Sequence, residues 1–447
     1  MHVIHLKKGF SPRIAGRPAT TLQHLARPRR VGMLPKHIPF IKPRLMVAEN
    51  DPVAIGTPLF EDKRDPRIRF LSPGGGRIER IAFGPRRVIE EIVIRLDDDE
   101  AAVPISVPTI DALANAPRAQ VVDILLTGGM WPFLRALPYL DRADPDTIPP
   151  AIHVRLGDDE PFAPQPAVYL EGRTHLFDIG LTLLGRLCER VVVHATGDPP
   201  VLPDLPAGVA VRRFTGSYPA GNPWVQRYHT KRGPAQNRSW FIDGQEVVLL
   251  GVFVSTGRYP VERIVAVGGS RAATAGHVST RAGVPLALLT GEDTGAAGGM
   301  RAIVGGVFTG FSGSLEGFMG FYQTALNLVD DGDREEPFAF IRPGYDRPSH
   351  STAFLSALHR KPFPMDCSQH GEERACINCG SCAAVCPVDI LPQFTLKCLV
   401  ADEVEEALAH GLLDCAECGL CTYVCPSKIE LGETFRAAKA RYYKESV

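Results

Sequence analysis

No apolar run in this chain of 447 residues approaches the roughly 18 to 20 residues needed to cross a bilayer. The longest candidate, Val247 to Val254, is short and reads as a strand. A strong charge bias is missing too: 49 basic against 50 acidic residues leave a net charge of −1, which names neither nucleic acid nor an anionic membrane as a partner. The chain has no G-x-G-x-x-G and no Walker element. No secretory leader opens it, so disulfides are not expected. No hydrolytic constellation stands out: His37, His153, His194, His229 and His277 are scattered, and a lone histidine reads as a hydrogen-bonded structural residue. His229, in a polar aromatic stretch, is the one that could face a partner or a quinone headgroup.

Cysteine, by contrast, is concentrated. Eight of eleven fall in two runs, Cys376-x-x-Cys379-x-x-Cys382-x-x-x-Cys386-Pro387 and Cys415-x-x-Cys418-x-x-Cys421-x-x-x-Cys425-Pro426. Two-residue gaps let one loop offer three thiolates to one corner of a four-iron cube, and in this ferredoxin spacing the fourth cysteine of each run serves the other cluster. Cys376, Cys379, Cys382 and Cys425 are therefore assigned to one [4Fe-4S] cluster, and Cys415, Cys418, Cys421 and Cys386 to a second. Gly380 and Gly419 permit close backbone approach. Structural zinc is the alternative, but zinc needs four ligands per site and has no use for a repeated run of four ending in Cys-Pro. Cys188, Cys367 and Cys398 are left as free thiols. Residues 391–414 between the runs read as helical, with Gly411 ending the last helix, and Glu433 to Tyr443 as an amphipathic helix carrying Phe435, Ala438 and Tyr442 on one side.

The remainder reads as an α+β multidomain chain. Residues 1–110 show short strands with G-x-P-L and S-P-x-x-G turns, a carrier-like (lipoyl-type) β barrel-sandwich in which Lys63 lies in a solvated charged turn; the arginines of Arg27 to Arg30 are surface or interface charges. Residues 111–250 alternate strand and helix signals, a Rossmann-like α/β core: Val121 to Leu126, Ala151 to Leu156, Val191 to His194 and Val209 to Phe214 read as strands, and Thr174 to Cys188 as a helix. Gly128-Gly129 after the first of these could cradle a phosphate, but Trp131-Pro132-Phe133 crowds the place a dinucleotide needs. Residues 251–320, with short strands at Val265 to Gly269 and Arg281 to Leu286 and a β-turn-β after Thr294, resemble a soluble ligand-binding β-grasp (SLBB) module. A proline-bearing connector, 321–370, leads to the α-helical two-cluster ferredoxin domain at 371–447.

In this order the modules resemble the A subunit of the sodium-translocating NADH:quinone reductase and the related C subunit of the Rnf complex. Gly56 to Lys63, Ser72-Pro73, Gly129 to Pro138, Tyr218 to Gly221 and Arg263 to Gly269 carry the first resemblance, over about residues 1–330. The cysteine module carries the second, over about 370–440. The reductase subunit ordinarily has no cluster module, and the Rnf flavin and NADH loop is replaced here by Thr127 to Phe133, so neither FMN nor NADH is carried over. The resemblance implies a peripheral subunit on the cytoplasmic side of a membrane redox pump, passing electrons through two clusters from a soluble donor (a ferredoxin or a reductase subunit) to integral membrane and flavoprotein subunits. Quinone would be met through the complex. Two expectations compete with this one: an input subunit that binds NADH and FMN, or an assembly scaffold with structural clusters.

Overall fold

The computed structural model describes residues 2–157, 159–197, 205–206, 208–291, 299–332, 343–345, 349–351, 354–368 and 371–446. Parts of the expected connector, and the start of the β-turn-β at Thr294, lie outside them; the first part of that connector is not a linker, since Ala325–Asp330 is an interior strand of a six-stranded sheet.

A seven-stranded sheet forms the centre. Its strands His2–His5, Val209–Thr215, Val191–Thr196, Ile152–Leu156 and Trp240–Asp243 are parallel, in that spatial order, and Arg135–Ala136 and Asp141–Arg142 extend it antiparallel. Parallel strands are covered on both faces, and the Val-rich run at 191–195 is accordingly buried throughout. Helices Thr174–Leu187 and Gly244–Thr256 pack on each other where Gly180 and Gly251 meet the other helix's backbone; a Cβ on Gly251 would lie 2.0 Å from the Leu176 carbonyl oxygen.

Two apolar runs read as strands are helices. Val121 to Leu126 lies in helix Arg118–Thr127, and Val247 to Val254 in helix Gly244–Thr256. The second is buried around nearly its whole circumference, which erases the 3.6-residue periodicity and leaves an apolar run that looks the same as a buried strand, while the first keeps an exposed face at Gln120, Asp123 and Thr127. The end signals are the informative ones. Asp243 and Glu246 form a capping box, and Gly257 closes the helix at φ 62°. Because a helix precedes Gly128-Gly129, that turn is not a strand-to-helix phosphate loop; a Cβ on Gly129 would lie 2.4 Å from Leu71 of the barrel.

The barrel-sandwich comprises a four-stranded sheet (Arg30–Met33, Ile89–Leu96, Gly76–Phe83, Pro52–Val53) and a three-stranded one (Pro43–Leu45, Pro58–Asp62, Asp65–Leu71). Lys63 is exposed in the turn between the last two strands. Residues 1–25 do not belong with it. Strand His2–His5 is an edge of the central sheet, and Leu22–His24 is an edge of a six-stranded sheet with Gly276–Arg281, Glu262–Gly268, Ala325–Asp330, Met300–Val304 and Phe311–Gly313. The expected 1–110 unit thus supplies strands to three parts of the molecule. The segment read as a strand to Leu286 is a turn at Gly283 followed by the short helix Leu286–Thr290.

The C-terminal module is helical: Ser381–Val385, Pro392–Val400, Val404–Ala409, Leu420–Tyr423 and Leu431–Ser446. It shares one apolar core with the central sheet, in which Phe214, Tyr218, Trp224 and Phe241 meet Val385, Leu420 and Phe435.

Candidate redox site

The two cysteine runs build the same local structure twice. Asn378 and Glu417, each two residues after the first cysteine, have φ of 55° and 51°; Gly380 and Gly419 start short helices at 77° and 75°; Asp389 and Lys428, after each Cys-Pro, have 55° and 58°. Non-glycine residues in the left-handed region are uncommon, and such strain gathers at ligand clamps.

The fourth cysteine of each run crosses to the other. Cys376, Cys379, Cys382 and Cys425 line one hollow with Ile377, Ile429 and Leu431. Cys386, Cys415, Cys418 and Cys421 line a second with Pro387 and Phe435, and Cys382 stands between the two hollows, lining both. Among the described residues no three His, Cys, Asp or Glu side chains converge closely enough to hold a single metal ion. A tetrahedral zinc would draw its sulfurs to within about 3.8 Å of one another. Thiols ringing a hollow fit a larger occupant, and a four-iron centre with four thiolates is of that kind.

The hollows differ in environment. Cys376 and Cys379 are exposed, whereas Cys415 and Cys418 are buried. Burial pushes the Cys415 thiol up to about 11, and Cys418 and Cys421 upward as well, so these sulfurs are neutral thiols unless iron takes the proton's place. The second run is also clamped to the segment 218–231 that follows strand Val209–Thr215. Tyr218 donates its hydroxyl to the Cys418 carbonyl (2.9 Å), Asn222 its amide to that of Ala416 (3.1 Å), and Arg227 and Lys231 pair with Asp414 at 3.0 and 2.9 Å. Tyr218 lies in the Tyr218 to Gly221 phrase, whose last two backbone N–H groups donate to the Asp159 carboxylate (2.6 and 2.8 Å).

His153, His194, His229 and His277 hold the fold through buried or part-buried hydrogen bonds, whereas His37 stacks on Phe311 and lines a large cavity. His229 donates Nε2–H to the Pro387 carbonyl (2.8 Å) and so helps seat the first Cys-Pro turn. His153 and His194 meet on adjacent parallel strands, 2.7 Å between ring nitrogens, and burial holds His153 down at about 3. His277 donates Nδ1–H to the Ala19 carbonyl and accepts from the Gln165 N–H. Cys188, Cys367 and Cys398 line neither hollow.

A cavity of about 680 Å³ was not legible in the sequence. It opens at the carboxyl ends of the parallel strands, beside Arg155 and Asp243, where open α/β sheets bind ligands. The barrel contributes Ile38 and Pro43, the six-stranded sheet Arg263, and the cysteine module Ala416, Glu417 and Lys439. Arg135 pairs with the buried Glu246 and stands over two rings, its guanidinium carbon 4.6 Å from the centre of Phe241 and 4.4 Å from that of Tyr322. Burial, opposed by Arg135 and aided by Asp243, raises Glu246 to about 7. These residues come from distant stretches, and of the cavity wall only Phe133, Arg135, Tyr218 and Arg263 fall in stretches that carried the resemblance to the reductase subunit.

A barrel-sandwich, an α/β unit and a dicluster module in one chain define a multidomain iron–sulfur redox subunit. The model for the NqrA N-terminal barrel-sandwich hybrid domain matches residues 4–97, that for the NqrA second alpha/beta domain 116–259, and that for a 4Fe-4S dicluster domain 375–429. The A subunit of the Na(+)-translocating NADH-quinone reductase of Klebsiella pneumoniae is 32% identical over 416 residues, and that of Cellvibrio japonicus 33%, each match covering 92% of both chains. The chain belongs to the NqrA family, the A subunits of Na(+)-translocating NADH-quinone reductases. A match over 92% of the chain cannot stop near residue 330, so the family likeness continues into the cysteine module. An NAD+-reducing [NiFe]-hydrogenase structure aligns over 52% of each chain at TM-score 0.34 and 13% identity, too low to extend to this protein. No helix among the described residues is long and apolar enough to cross a membrane.

Proposed function

We propose that this chain is the electron-transfer subunit of an ion-translocating NADH:quinone oxidoreductase, and that it relays electrons through two [4Fe-4S] clusters. Cys376, Cys379, Cys382 and Cys425 would hold the first cluster, and Cys415, Cys418, Cys421 and Cys386 the second. The observation that carries this reading is the pair of thiol-ringed hollows with matching backbone geometry. When bound, each cluster supplies reversible one-electron chemistry. The chain's own groups hold the thiolates, exclude water from the second site and leave an edge of the first open to a partner. Electrons thus enter or leave at the exposed Cys376–Cys379 edge, and the second run is the inner station, sharing Ala416 and Glu417 with the wall of the large cavity.

The partners are a soluble donor and the membrane and flavoprotein subunits of such a complex, with this chain on the cytoplasmic side, where thiols stay reduced. Neutral overall charge makes protein contacts, not lipid charge, the means of attachment. Anaerobically purified protein should contain about eight irons with matching acid-labile sulfide and two interacting paramagnetic centres after reduction. Zinc, or no metal, at these cysteines would end the proposal.

A second reading, an electron-input subunit holding a flavin, is favoured by the cavity, whose size and aromatic, arginine-bearing walls suit a planar ring system. A flavin assay on the same sample separates the two: iron without flavin supports the relay alone.

A further inference from the structure

Lys439, on the terminal helix Leu431–Ser446, is 1% exposed. Lysine is almost never that buried without a partner, because stripping water from an ammonium is costly. Its Nζ donates to the Cys415 carbonyl (3.1 Å), pairs with Glu417 Oε1 (2.5 Å) and lies 5.1 Å from the centre of the Trp224 ring. Glu417 is shared with Arg436 at 3.6 Å, which has a second partner in Glu433 at 2.8 Å, and Asp414 is shared between Arg227 and Lys231. Leaving the Arg436–Glu433 pair aside, three cations face two carboxylates along Asp414-Cys415-Ala416-Glu417, and two of the cations, Arg227 and Lys439, are almost fully buried. Of these groups Glu417 lines the second hollow, and Lys439 stands one contact behind it, bonded to Glu417 and to the carbonyl of Cys415, itself on the wall of that hollow.

A four-iron, four-sulfide centre with four thiolates is an anion, and reduction adds one more negative charge. We propose that Lys439 is the residue that tunes the second cluster, its fixed charge holding that cluster's reduction potential above the value its burial would impose. This inference rests on the cluster reading of the second hollow. Burial disfavours the more charged, reduced form, and a cation in the same low-dielectric surroundings offsets that penalty. The Cys376–Cys379 edge needs no such residue because water screens it. With Lys439 in place the inner station is a competent electron acceptor from the exposed one, next to the cavity wall that the same side chain lines.

The test uses the full chain, purified without oxygen, in three forms: Lys439→Gln, which keeps a donor and loses the charge; Lys439→Met, which loses both; and Lys439→Arg, which keeps the charge. Redox titration followed by EPR, with Cys379→Ser and Cys418→Ser assigning the two signals, reads each cluster separately. Lys439→Gln and Lys439→Met should each weaken reduction of the second cluster by at least ~10-fold, about 59 mV for a one-electron couple. The first cluster should not move, and Lys439→Arg should titrate as the parent does. The inference is overturned if fully loaded Lys439→Gln titrates like the parent, if both clusters shift equally, or if Gln and Met variants merely lose iron at the second site. Parent protein that lacks iron would instead sink the cluster reading itself.

Discussion

The two cysteine runs have the same spacing and the same backbone conformations, yet Cys376 and Cys379 face solvent while Cys415 and Cys418 lie in a core shared with the central sheet. The difference does not originate in the runs themselves. It comes from what the chain lays over them: from outside the module the second run and its approach receive Tyr218, Asn222 and Arg227, whereas the first receives Lys8 at the Ala383 carbonyl and His229 at the Pro387 carbonyl, at the end away from Cys376 and Cys379. Under the proposed relay one cysteine pattern would yield an outer and an inner station, with burial the variable that separates them.

The largest expected break in that comparison comes from the ligands. Cys418→Ser should remove the second site's iron, about half of the total, and lower the melting temperature by on the order of 5 °C or more, because metal binding there is also folding energy. Cys379→Ser should lose a similar share of iron with a smaller thermal effect, its surroundings being solvent. Iron analysis with calorimetry reads both, and equal thermal losses would erase the distinction. Next in size is packing. Phe435 is fully buried beside the second hollow, and Phe435→Ala should cost about 3–5 kcal/mol in denaturant unfolding of the module. Val400 is 80% exposed, and Val400→Ala should fall within about 0.5 kcal/mol of the parent. Smaller again is access: an iron chelator should strip the first site faster than the second, on the order of tenfold, since opening the second requires local unfolding of a packed seam. Comparable rates at the two sites would mean that the seam opens readily.

How much of this could be read beforehand follows from how local each signal is. The grouping of the eight thiols around two hollows was legible because two-residue gaps keep three cysteines on one loop and the run is repeated. Helix Leu431–Ser446 was legible because one of its faces stays wet and the periodicity survives. Val247 to Val254 misled because it is buried on nearly all sides, and there the caps held the answer; Val121 to Leu126 looked like a buried run although Gln120, Asp123 and Thr127, three and four apart, form an exposed helical face. The placement of His2–His5 beside Val209–Thr215 had no sequence signal at all, since a parallel edge pairing of strands some two hundred residues apart is fixed by the tertiary fold. The cavity was invisible for the same reason: Arg135, Tyr322, Glu246 and Lys439 come together only after four parts of the chain have docked.

That cavity also distinguishes the runs, because it borders Ala416 and Glu417 of the second, and its buried carboxyl supplies the subtlest prediction. Glu246 is raised from an ordinary 4.5 to about 7, chiefly by burial, with Asp243 adding to the rise and Arg135 opposing it. Between these values the folded chain holds a proton that the unfolded chain has released, so stability falls as pH rises from about 4.5 to 7 and levels off above. The slope contributed is at most about 1.4 kcal/mol per pH unit. Glu246→Gln should flatten that part of the stability profile whatever its effect on absolute stability, since the Arg135 guanidinium loses its anionic partner at every pH. Denaturant unfolding at closely spaced pH values reads the slope directly. A Gln variant with the parent's slope would mean that Arg135 keeps Glu246 ionised, and that the cavity beside the inner station presents a fixed ion pair in place of a group able to take up a proton.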